Sequence, residues 1–150
     1  MYLLKLIKHW PPHHVFLADS IGAFSTAAIL GLALVRASAH FGIRQSTFYL
    51  LATIALALMG YSLTNFLIRP RNPTIFLRGI ALGNLTYIPI TFYFLLFIET
   101  SPSALAFTYF TLEAVVIASI AYAEWKYADF YEQSRKAENS PPQINQSSLK

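Results

Sequence analysis

With 55% hydrophobic residues, 12% charged residues and a mean hydropathy of +0.47 over 150 residues, the chain is too apolar for an ordinary soluble domain, where about 25% of residues are charged. This composition excludes disorder, collagen and coiled coil, and the lack of Cys excludes a disulfide framework, a thiolate metal site and a Cys nucleophile. A net charge of +4, from 11 Lys and Arg against 7 Asp and Glu, would suggest nucleic acid on a soluble chain; here the charges gather between apolar runs, so they read as membrane topology, with no nucleic-acid partner.

Residues 1–14 are expected to lie along the membrane surface. Tyr2, Leu3, Leu6, Ile7 and Trp10 recur at helical spacing, Lys5, Lys8 and His9 point elsewhere, and Pro11 and Pro12 are expected to stop the segment. The domain 15–128 then holds apolar runs at 16–35, 48–68, 75–98 and 104–125, each long enough for a hydrocarbon core that takes about 20 helical residues to cross. The first run is read as a retained span although Ala37, Ser38 and Ala39 have the form of a cleavage site: it is longer than a signal peptide's apolar region and contains Asp19. In lipid the backbone must satisfy its own polar groups, and continuous runs without period-two alternation choose helices over a barrel.

The joints are short and carry Gly42, then Pro70 and Pro73, then Pro102. The expected fold is therefore all-α, an integral membrane four-helix antiparallel bundle. Lys5, Lys8, Arg69, Arg71, Lys126, Arg135 and Lys136 fall on the side shared by the two termini, against Arg36 and Arg44 on the other, where Glu99 stands alone. The bias toward one face predicts cytoplasmic termini. Tyr122, Trp125 and Tyr127 suit an aromatic belt, and 129–150, with Ser140, Pro141 and Pro142, is expected to be a disordered cytoplasmic polar tail.

Ionisable groups inside a span cost several kcal/mol unless they find partners, which makes them the functional candidates. Asp19 and Arg78 lie equally far into their runs from the cytoplasmic side, Asn65 returns to that level and Glu124 sits at the cytoplasmic end of the last run. These residues predict a polar layer drawing on all helices, with an Asp19–Arg78 ion pair, and the line Asp19, Ala23, Ala27, Gly31 predicts a small-residue stripe facing protein. Glu113 and Asn84 approach the midplane from opposite sides; without a cation there, Glu113 is expected to be neutral and to bond Asn84 as glue, or to serve as a relay. Tyr61, Tyr87 and Tyr109 add hydroxyls within the spans, and Glu113 and Glu124 share a helix face. His13 and His14 are adjacent and lack metal-ligand spacing, and neither a phosphate loop nor a nucleophile motif is present. No catalytic, cofactor or metal set is expected.

Four short patterns carry a resemblance. Asp19-Ser20-Ile21-Gly22-Ala23, Phe41-Gly42-Ile43, Asn84-Leu85-Thr86-Tyr87 and Tyr109-Phe110-Thr111-Leu112-Glu113 resemble a group of small, uncharacterised four-helix bacterial inner-membrane proteins, over residues 15–125. The resemblance implies a four-helix membrane fold in a bacterial inner membrane and carries no activity. The expected function is a non-enzymatic structural or interaction module whose partners are the lipid bilayer and a second copy or another membrane protein. The alternatives are a small proton-coupled or solute transport protein, acting as an oligomer, and an enzyme or assembly factor acting on a lipid or quinone.

Overall fold

A computed structural model of the protein describes residues 11–138; the expected surface segment up to Trp10 and the tail beyond 138 lie outside the described residues. The described chain is helical. Helix α1, Pro12–Ala28, continues through a wider π turn, Ile29–Leu34. A short α2, Ser38–Phe41, leads to α3, Gln45–Ile68. Helix α4, Pro73–Tyr93, is prolonged by a second π turn, Phe94–Ile98, and α5 spans Ala104–Glu138. No strand occurs among the described residues. Four helices are long and apolar enough to cross a membrane, and their outer faces carry large apolar side chains such as Leu67, Ile75, Phe97 and Leu112.

Local sequence explains the helix ends. Pro12 opens α1 and Pro73 opens α4, where the fixed φ suits the first turn and the missing N–H would have no partner in any case. Pro12 was expected to end the preceding segment; it instead starts the span a turn before Phe16. Helix α3 ends where Arg69 turns left-handed (φ 50°) and Pro70 follows, and α4 runs on through Pro89.

Helix α5 is the larger departure. It continues through residues 129–138, which were expected to belong to the disordered tail. No Gly or Pro interrupts this stretch, Lys136 pairs with Glu132 one turn earlier at 2.8 Å, and Tyr127 and Ala128 are buried. Packing and i, i+4 pairing thus extend a helix that hydropathy alone ends at Trp125. Tyr127 belongs to that core, whereas Tyr122 and Trp125 remain exposed.

Helix α1 packs chiefly on α3, α4 packs chiefly on α5, and the contact between α3 and α4 is lighter. Ala27 is buried and the Gly31 position faces Ala52, so the lower half of the small-residue stripe brings α1 close to α3. Helices α1 and α5 have little mutual contact. Two apolar clusters fill the interior. Val15, Phe16, Leu77, Ile80, Tyr127 and Ala128 pack at the end where α1 begins, and Leu30, Phe41, Phe48, Leu51, Tyr87, Leu95 and Phe110 pack toward the loops of α2 and residues 99–103.

That second end is clasped by polar contacts. Ser103 N donates to Phe41 O at 2.9 Å, and the buried Glu99 carboxylate accepts from Arg44 N at 3.2 Å and from the Thr47 hydroxyl. Arg44 also pairs with Glu99 at 3.5 Å and donates to Ile98 O. Glu99, expected to stand alone, thus caps the start of α3, where a negative charge is favoured. Gly42, at φ 63°, lies so close to the same loop that an added Cβ would meet Ser101 O at 2.1 Å. Gly42→Ala therefore combines a left-handed backbone with a backbone clash; thermal unfolding in micelles should show a loss of at least about 1–3 kcal/mol, and an unchanged midpoint would contradict the clasp.

Candidate functional site

Each long helix sends one polar side chain into the region between the two apolar clusters: Asp19 from α1, Ser62 from α3, Asn84 from α4 and Glu124 from α5. All are buried, Ser62 completely and Glu124 to 2% exposure. Ser62 Oγ donates to Asp19 Oδ2 at 2.6 Å. Asn84 Nδ2 donates to Asp19 Oδ1 at 2.9 Å and to Glu124 Oε2 at 3.4 Å. One carboxamide thus bridges acids on two other helices, using a group that carries two N–H donors.

No ion pair among the described residues involves Asp19 or Glu124. Glu124 Oε1 is buried without a partner.

The expected Asp19–Arg78 pair does not form. Arg78 Nη2 instead bonds Asp129 at 2.8 Å and Glu132 at 3.0 Å, and its guanidinium lies 5.8 Å from the Trp125 ring centroid. Two shifts in helix boundaries account for this. Starting α1 at Pro12 carries Asp19 to about 10 Å along the helix, deeper than a span starting at Phe16 allows, and the extension of α5 presents two carboxylates at the level of Arg78. Asn65 is also apart from the layer. Its Nδ2 donates to Tyr61 O in its own helix, and it lines a separate 140 Å³ pocket with His13, Arg69, Pro73 and Tyr131. That pocket brings together the start of α1, the α3–α4 turn and the last part of α5.

Beside the cluster lies a cleft of about 370 Å³. Asp19, Gly22, Ala23 and Thr26 of α1 and Tyr109, Glu113 and Val116 of α5 form its walls, over a floor of Ala55 and Leu58 from α3 and Asn84 and Tyr87 from α4. The cleft follows from the pairing of helices, since α1 and α5 do not close upon each other. Glu113 is half-buried here, and its carboxylate accepts from the Tyr109 hydroxyl at 3.5 Å. The expected Asn84–Glu113 bond is absent; the Asn84 Nδ2 group turns to Asp19 and Glu124, and Glu113 bonds Tyr109 on its own helix. Asn84 and Glu113 nevertheless line the same space. The buried Tyr87 hydroxyl, also in the lining, has no partner. No group of three or more His, Cys, Asp or Glu converges as a metal-ligand set among the described residues.

Comparisons with protein-family models, with curated proteins and with solved structures find no match to this chain. The site therefore rests on its own geometry, and that geometry makes a ranking of substitutions. Interhelical hydrogen bonds within membranes average below 1 kcal/mol, but removing a donor from a buried acid costs more. Ser62→Ala and Asn84→Leu should each lower stability by about 1–3 kcal/mol. Arg78→Ala, whose partners are about one-third exposed, should cost under about 1 kcal/mol. Unfolding of the three variants in the same micelles checks the order, and a larger loss for Arg78→Ala would reverse the assignment.

Proposed function

We propose that the protein is a non-enzymatic, multi-pass component of a bacterial inner membrane, folded as an antiparallel four-helix bundle with both termini in the cytoplasm. It serves as a structural or interaction module that associates with itself or with another membrane protein. The observation supporting this reading is the direct bonding of Asp19, Ser62, Asn84 and Glu124 to one another. These four groups bond one another across all four long helices, which supports a role in fixing helix register rather than a through-going water path. The outer surface offers exposed apolar side chains on every long helix, among them Ile21, Leu67, Ile75 and Val115. The bacterial setting rests on the motif resemblance, and the orientation rests on the positive charges that gather at the terminal side.

Because the chain contains no Cys, introduced thiols report without background. An impermeant maleimide applied from the periplasmic side should label Arg44→Cys, whereas Arg71→Cys and Lys136→Cys should react only after the membrane is opened. Labelling of Arg71→Cys and Lys136→Cys from opposite sides would overturn the topology. Crosslinking through Val115→Cys in native membranes should give dimers or defined larger complexes, and monomers alone at every crosslinker length would remove the interaction role.

A further inference from the structure

The cluster bonds its members directly to one another, whereas the polar groups of the cleft beside it have few partners. Glu113 has one side-chain hydrogen bond, a long one from Tyr109 on its own helix. Tyr87, only 2% exposed, has a hydroxyl without a partner. No Lys, Arg or His lines the cleft, and most of its lining is aliphatic or aromatic. The space is about 370 Å³, within the range of roughly 300–1,000 Å³ common for small-molecule sites.

This chemistry selects one class of ligand. A phosphate or a carboxylate would meet acids with no counter-ion. A cation would gain the charge partner that Glu113 lacks, and the rings of Tyr87 and Tyr109 would add favourable π faces. The apolar walls and the sideways opening between α1 and α5 require a ligand that is itself at home in hydrocarbon. We propose that the cleft binds a lipophilic cation, an apolar ammonium or phosphonium compound that enters from the bilayer and pairs with Glu113. This goes beyond the interaction role and does not depend on it, since a single chain contains every residue involved.

Binding is an exchange of charge. A cation and a proton compete for the same Glu113 carboxylate: where the acid is protonated, its O–H bond breaks as the cation arrives and the proton passes to bulk water, so the net charge of the cleft is unchanged. The titratable groups facing Glu113 are Tyr109 on the same helix, Tyr87 from α4 and Asp19 from α1; α3 contributes only Ala55 and Leu58. Asp19 is held by Ser62 and Asn84, which leaves Glu113 as the acid that exchanges. Because the two compete, affinity should rise with pH, by up to about tenfold per unit, wherever a proton occupies the site, and level off where none does.

The test is calorimetry on the full chain in phosphatidylcholine nanodiscs, with tetraphenylphosphonium as the cation and triphenylmethanol as a neutral compound of related shape. The expected result is saturable binding of tetraphenylphosphonium that tightens with pH and much weaker binding of triphenylmethanol. Glu113→Gln should weaken the cation at least tenfold and abolish the pH slope. Ala23→Leu, which narrows the cleft without changing its charge, should also weaken binding and serves if the Glu113 variant does not fold. The proposal is overturned by no saturable binding to the folded protein, by affinity unchanged in Glu113→Gln or in Ala23→Leu, or by equal affinity for triphenylmethanol. None of these outcomes bears on crosslinking through α5.

Discussion

Hydrocarbon offers no water to complete a polar group, so each buried donor and acceptor must find its partner within the protein. The rest of this structure depends on how Asn84 meets that constraint. Its single Nδ2 group serves Asp19 and Glu124 together, while Ser62 takes the remaining oxygen of Asp19. The consequence is steric as much as electrostatic. Rotating or sliding any one of the long helices by a turn would strand an acid among apolar side chains, a penalty of several kcal/mol. The cluster therefore sets register where shape alone would tolerate alternatives.

Its position explains the division of the interior. Along each helix the polar residue separates the cluster containing Phe16, Leu77 and Tyr127 from the one containing Leu30, Phe48 and Phe110. Beyond the second of these, Glu99 performs for the loops what Asn84 performs for the spans, since it ties Arg44 and Thr47 at the start of α3 to the turn after α4. The cleft is the remainder of this arrangement. Helix α1 is committed to α3 through Ala27 and Gly31, and α5 is committed to α4. Nothing closes the gap between α1 and α5 on the side of Ala23 and Glu113.

The apolar runs were legible because some 20 consecutive residues without alternation admit one backbone solution in lipid. Asp19, Asn84 and Glu124 were legible as costly groups, and their meeting in one layer follows from that cost. Their partners were not legible. Hydropathy ends the first and last spans at Phe16 and Trp125, whereas Pro12 starts one helix earlier and helical pairing carries the other to Glu138; depth counted from the wrong ends sets Arg78 against Asp19. Ser62 left no signal at all. Hydroxyl residues in these helices usually bond their own preceding turn, as Ser25, Thr53, Thr64 and Ser119 do, so sequence cannot distinguish the one that reaches across. The close approach of Gly42 to Ser101 is likewise a contact between residues far apart in the chain.

Disulfide formation between Asp19→Cys and Ser62→Cys, measured in membranes under mild oxidant, reads the central contact directly. The two side chains approach to 2.6 Å, and no native thiol competes. The account predicts rapid crosslinking within one chain for this pair and none for Asp19→Cys with Leu63→Cys, whose side chain is exposed on the other face of α3. Failure of the first pair, or equal reaction of the second, would contradict the inward meeting of the polar groups on which the structure depends.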